Sequence, residues 1–186
     1  PLNIFENRYI QLVNDCMKGE QMFGMVQPKT KPRESPEVYE IGCLGKITSF
    51  NETIDKRFII NLSGIIRFRI KKEVGKEKLY RKFDVDYSEF LNDLEIKKNQ
   101  LINYDGSDLL KKIKIFFQKI NYPIDYDELI KLDLDQLAST ICMISPFSIE
   151  EKQKLIETVK IEDKIKILDE IINFNLFEYQ ENKTIQ

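Results

Sequence analysis

Histidine, the side chain that most often serves as general base, metal ligand or triad member near neutral pH, does not occur in this sequence. The residue types that remain chemically capable form a short set. Cys16, Cys43 and Cys142 are odd in number, far apart and each set in an apolar pattern, so they read as buried free thiols of a reducing compartment. The run Gly42-Cys-Leu-Gly-Lys-Ile47 superficially suggests a phosphate loop. It lacks the G-x-x-x-x-G-K-[ST] frame and has isoleucine where the magnesium-binding hydroxyl belongs, so its apolar content makes it a strand. Asp84 and Asp86, two apart on a predicted strand, project to the same side, a spacing that suits a metal or acid–base work. We read them as a solvated strand face. Asp125, Asp127 and Glu128, close to Pro123, read as turn and cap chemistry. Serines and lysines are plentiful, but activating a lysine requires burial and the lysines lie on polar faces. No catalytic residue, cofactor site or metal site is expected.

Binding is the alternative to chemistry. Between Arg67 and Lys82, eight cations (Arg67, Arg69, Lys71, Lys72, Lys76, Lys78, Arg81 and Lys82) face two acids, Glu73 and Glu77, for a local charge of +6. Arg67, Arg69, Lys71, Lys72 and Lys78 are the candidates for touching RNA phosphates. The ribbon lacks interleaved aromatics for base stacking, and lysines on an edge also serve to block edge-to-edge association. Met22 and Met25 flank Phe23-Gly24 ahead of Lys29–Glu37, a segment with two prolines and no apolar residue. Methionines suit adaptable contact with unfolded chains, so Met22, Met25 and Tyr39 are the protein-contact candidates, with Phe23 assigned to the core. Tyr104, Tyr122 and Tyr126 are expected to seal helix junctions between two subdomains.

The elements that must hold these residues follow from periodicity. Ile41, Leu44, Ile47 and Phe50 form one apolar arm. Phe58, Ile60 and Leu62 alternate in a second, and Ile66, Phe68 and Ile70 continue it beyond Gly64. With a polar turn from Asn51 to Arg57, this predicts a long hairpin buried on one face. Gly42, Gly45 and Gly64 inside it predict bulges that curl the sheet. A second ribbon spans residues 66–87 and turns near Gly75. Tyr9, Leu12, Val13, Cys16 and Met17 predict an amphipathic helix, and Phe23–Val26 a short strand. From about Asn99 the spacing becomes helical. Four helices are predicted, carried by Leu109–Ile120, by Leu134–Cys142 with Asp133 as cap, by Leu155, Ile156 and Val159 behind a Ser148/Glu151 capping box, and by Ile161–Ile172. The tail from Gln180 is expected to fray. The organisation is α+β, with a β-rich part over 1–98 and a helical bundle over 99–186.

The chain has 186 residues, 32% charged, with a net charge of −2. That gives no overall attraction to nucleic acid or an anionic membrane. No apolar run reaches the roughly 18 residues of a membrane span. Since the sequence starts on Pro1 without a signal peptide, the numbering is expected to begin part-way into a longer, cytoplasmic chain.

Pro1-Leu-Asn-Ile-Phe-Glu-Asn-Arg-Tyr9 resembles the opening of the Lon protease N-terminal, substrate-binding domain. Phe23-Gly-Met-Val26, Glu40-Ile-Gly-Cys-Leu-Gly-Lys-Ile47 and Leu62-Ser-Gly-Ile-Ile-Arg-Phe68 are similar to that family's next signatures, in order. Leu137-Ala138 and Ser148–Glu157, with Lys152-Gln153, resemble its helical segment. The resemblance implies a PUA-like pseudo-barrel β subdomain followed by a C-terminal helical bundle. It implies a non-catalytic module that binds unfolded or tagged polypeptides or a partner in ATP-dependent proteolysis, without the ATPase and Ser-Lys protease domains. An RNA-binding PUA-like module is the alternative. The family usually carries one more strand before the Pro-Leu-x-Ile-Phe motif, which leaves closure of the barrel open.

Overall fold

A computed structural model describes residues 1–29, 36–75, 77–95 and 107–184, with side chains to Phe177. Contacts divide the chain into two compact units, 1–96 and 97–186. The sequence-based boundary at 98/99 lies outside the described residues.

The first unit contains β1 (Leu2–Ile4), α1 (Asn7–Met17), β2 (Met22–Met25), β3 (Ile41–Glu52), β4 (Phe58–Glu73) and β5 (Phe83–Asp86). All pairings are antiparallel, in the order β1-β4-β3-β2, with β5 also on β4. Sixteen residues at about 3.3 Å each would make β4 a rod of about 50 Å, too long for one flat sheet in a unit this small. Three register shifts bend it instead, between Leu44 and Gly45, between Ile47 and Ser49, and between Ile70 and Lys72. Each adds local twist, and the result is a curled half-barrel. Gly45 and Gly64 face each other beside the first shift.

Gly42 acts differently from the expected bulge. A Cβ there would lie 2.4 Å from the Met25 carbonyl oxygen and 2.7 Å from Cζ of Phe68. Gly24 has the same neighbour at 2.9 Å, so the two glycines open the space that the Phe68 ring fills. Tyr87 packs edge-on against that ring, centroids 6.3 Å apart.

Two apolar clusters form. Val13 of α1 packs with Ile47, Phe58 and Ile60, joined by Leu2, Ile4, Cys16 and Phe23. Ile41 and Ile66 pack with Phe90, which projects from a 3₁₀ turn over Ser88–Leu94. Phe50 departs from its predicted place in the core. It is 39% exposed and rests its ring on Phe58, 5.0 Å away. The turn at Thr53–Arg57 is held by the Thr53 hydroxyl, which accepts from the Arg57 N–H, and by left-handed Lys56 at φ 61°.

The second unit contains α2 (Ser107–Lys119), α3 (Tyr126–Leu129), α4 (Leu134–Ile144), α5 (Ile149–Glu157) and α6 (Ile161–Thr184). Leu109, Ile113, Phe116, Phe117, Leu137, Ile141, Ile165, Leu168 and Ile172 form one buried cluster. Asp133 and Ser148 close full capping boxes with Gln136 and Glu151, and Asp125 accepts from the Glu128 N–H. Two expectations need correction. Val159 lies beyond the end of α5 and is exposed. The backbone of α6 stays helical through Gln180 to Thr184. Tyr122 leans on Phe117 and Tyr126 lies under the Lys114 ammonium, both within this unit. Tyr104 is outside the described residues.

Candidate polypeptide-contact surface

Met22, Met25 and Tyr39 fall on one hairpin. β2 pairs with β3 from Met22↔Lys46 to Met25↔Cys43 without interruption, and the Ile47 N–H donates to the Gln21 carbonyl at 2.8 Å. Beyond Met25 the chain stays extended. The Tyr39 N–H donates to Gln27 at 3.0 Å and the Lys29 N–H to Glu37 at 2.8 Å, so Tyr39 sits on the returning arm. Met25 is 46% exposed, whereas Met22 and Tyr39 are half-buried. Lys29 pairs with Glu37 and lies 6.0 Å above the Tyr39 ring. Arg81 grips Glu73 with two hydrogen bonds of 2.8 Å and donates to the Pro36 carbonyl at 2.7 Å, which fixes one end of this arm. Residues 30–35 of the predicted loop lie outside the described residues.

The basic ribbon is not a bare cationic surface. Arg67 makes a two-pronged contact with Asp93 at 2.8 and 2.7 Å and stacks over Phe90 at 4.6 Å. Arg69 does the same with Glu89 and reaches Glu40 at 3.0 Å. Lys71 pairs with Asp86 at 2.9 Å, Lys72 with Asp84 at 3.5 Å and Lys78 with Asp15 at 2.8 Å. All five candidate cations therefore have carboxylate partners, and only side chains distant in sequence supply them. Lys76 lies outside the described residues. The Asp15 carboxyl, bonded by Lys78 and by the Tyr80 hydroxyl, is held below the usual carboxylate range. Glu89 is lowered by Arg69. Asp86 is held far below that range, first by the Ser88 backbone N–H and then by Lys71. Asp84 and Asp86 are thus strand-face partners of lysines.

Nor do the thiols form a reactive set. All three are free and half-buried, and burial pushes each of them up, away from the thiolate that does chemistry. Among the described residues, no three Cys, Asp or Glu side chains are grouped so as to hold a metal ion. Gly42–Ile47 is a strand in the sheet interior. No described helix is long and apolar enough to cross a membrane.

One feature escaped the sequence reading. An open depression of about 830 Å³ has Phe5, Ile10 and Phe58 as its apolar wall, with Asn14, Glu52 and Lys56 on its rim. Phe5 is 61% exposed, and Ile54, at the tip of the neighbouring turn, is fully exposed at 106%. Ile54 does not line the depression; it is the one aliphatic residue of the otherwise polar Asn51–Arg57 turn.

The chain matches the family model of the ATP-dependent protease La (LON) substrate-binding domain over residues 1–173. It belongs to that family. Among curated relatives, Lon protease of Syntrophus aciditrophicus is 27% identical over 188 aligned positions, covering 95% of this chain and 23% of the relative. Lon protease 2 of Myxococcus xanthus is 24% identical over 178 positions, with 93% and 21% covered. The chain thus spans less than a quarter of the length of these relatives. The solved Lon N-terminal domain protein of Xanthomonas campestris superposes with a TM-score of 0.63 at 17% identity, covering 90% of this chain and 85% of that one. The Lon N-terminal domain of the Mycobacterium avium complex gives 0.61 at 16% identity, with 92% and 89% covered. The Lon N-terminal fold is therefore the fold of this chain, and the match is to the substrate-binding domain alone.

Proposed function

We propose that this Lon-family domain is a non-catalytic module that captures unfolded or tagged polypeptides for ATP-dependent proteolysis in the cytoplasm. The observation that carries this reading is the uncharged Met22–Met25 strand at the end of the sheet, with Met25 exposed, in a member of a substrate-binding family. Two further features support it. The acids and cations that could have done chemistry are engaged in ion pairs and caps, and the three thiols are held protonated by burial. A rigid sheet presenting a small apolar strip discriminates little among sequences, which suits a module that meets many clients. The ATPase and protease work belongs to other domains or partner chains. Affinity for one module is expected near 10 µM, about 7 kcal/mol, with tighter capture through several modules acting together.

The test is a titration of the labelled domain with reduced, carboxymethylated α-lactalbumin, a permanently unfolded probe, beside the folded, oxidised protein. Saturable anisotropy change with the unfolded form alone is the expected result. No response below about 100 µM would reject the proposal.

A further inference from the structure

Resting on the substrate-capture reading above, we infer that Arg81 is a positioning residue for capture: its guanidinium clasps the returning arm at Pro36 and so fixes where Tyr39 stands on the hairpin. The arm has little ladder of its own. β2 and β3 part after Met25↔Cys43, and the two chains meet again only at an isolated bridge, Pro28↔Val38. That bridge rests on two backbone hydrogen bonds, from the Tyr39 N–H to Gln27 and from the Lys29 N–H to Glu37. A two-stranded ribbon of this kind is marginal by itself. The arm is held from outside instead, at both ends. At Glu40 the backbone carbonyl accepts from the Ile70 N–H at 2.8 Å, and the carboxylate accepts from Arg69 at 3.0 Å. At Pro36 the carbonyl accepts from Arg81 at 2.7 Å, a residue 45 positions further along the chain.

The geometry explains why the clasp is an arginine. A guanidinium is a rigid plane whose donors point in fixed directions. Nε and Nη2 are both engaged by the Glu73 carboxylate at 2.8 Å, which leaves Nη1 for the Pro36 carbonyl. The Phe83 ring lies 4.9 Å from the guanidinium carbon. Glu73 and Phe83 are themselves cross-strand partners of β4 and β5, so the fork is aimed by a pair that the sheet already fixes. A lysine ammonium could reach the carboxylate or the carbonyl, but it has no such fork. The side chains of Arg81 and Glu73 are 32% and 39% exposed, and an ion pair of that exposure adds little to folding stability. What it supplies is place. A contact surface held ready in advance loses less freedom when it binds, and a larger fraction of the molecules is then competent at any moment.

Arg81→Lys, which keeps the charge and removes the fork, tests this in the whole domain. Amide hydrogen exchange read by NMR should show the Lys29 and Tyr39 amides exchanging about tenfold faster or more, while the Ile47 amide and the urea midpoint keep their parental values. The dissociation constant for reduced, carboxymethylated α-lactalbumin should rise about fivefold. Glu73→Gln, which leaves Arg81 in place but weakens its anchor, should move exchange and affinity the same way by less. Lys29 and Tyr39 amides that keep the parental rate in both variants would overturn the clasp. Faster amides with parental affinity would show that the clasp does not serve capture, overturning the inference while substrate capture stands. Absence of binding by the parent domain would reject the capture reading, and this inference with it.

Discussion

Glycines at two positions of the sheet carry opposite burdens. At Gly42 an added methyl would meet the Met25 carbonyl and the Phe68 ring, neither of which can move without shifting a strand. At Gly64 the nearest atom to an added methyl is the Cys43 sulfur at 3.4 Å, an ordinary contact, and no positive φ is involved. Gly42→Ala should therefore cost about 3 kcal/mol, as overpacking does. Gly64→Ala should fall within about 0.5 kcal/mol of the parent, because the less flexible unfolded chain offsets small strain. Urea unfolding midpoints of the two variants measure this; equal losses would show that the Phe68 pocket is not the constraint. Both glycines were visible in the sequence as interruptions of a strand. Their difference was not, since it depends on what packs across from each one.

At the level of elements, the segment after β4 folds back on α1. Lys78 and the Tyr80 hydroxyl both bond Asp15, and the Leu79 N–H donates to the Gln11 side chain at 2.8 Å. Asp15 and Glu89 lie below their ordinary range in the folded state, so the folded chain binds their protons less readily than the unfolded chain. Their contribution is complete above the unfolded carboxyl value of about 4 and is lost as pH falls through the lower folded value. Unfolding free energy should hold steady from pH 7 to about 5 and decline below about 4. Lys78→Ala should make that decline shallower, which acid titration at fixed temperature reads directly. An unchanged acid slope would show that the Lys78 contact does not hold the loop. Helix-forming periodicities, the Asp133 and Ser148 caps and the long hairpin were legible because local sequence dictates them. β1 was not, since three residues are too few to show alternation and Leu2–Ile4 is a strand only because Phe58–Ile60 offers an edge. The 3₁₀ turn escaped for the same kind of reason: its order depends on burying Phe90 and on Asp93 reaching Arg67.

Across the whole molecule, the quantity that folding changes most is local charge. A local +6 is a property of the chain written as a line; folding brings Asp15, Glu40, Asp84, Asp86, Glu89 and Asp93 to those cations. Exposed pairs of this kind add little stability, yet they cancel the field that a phosphate backbone would need. The fold class was readable because every motif agreed with the periodicity around it. Of the candidate contact residues, Met22, Met25 and Tyr39 were singled out by type, but their different exposures were not readable, since packing sets them.

The half-buried thiols give the domain an internal clock. Cys16 packs against the cluster around Val13 and Cys142 against the helical cluster, so opening of its own surroundings speeds the reaction of each half-buried sulfur with a disulfide reagent. Phe116→Ala, which empties a fully buried ring position in the helical unit, should cost about 3–5 kcal/mol there. It should speed labelling of Cys142 by well over tenfold while Cys16 keeps its parental rate, and equal acceleration at both would mean the two units open as one. Because the first unit carries Cys16 and Cys43 and the second Cys142, the order in which a denaturant takes the two units apart is written in the order of thiol modification.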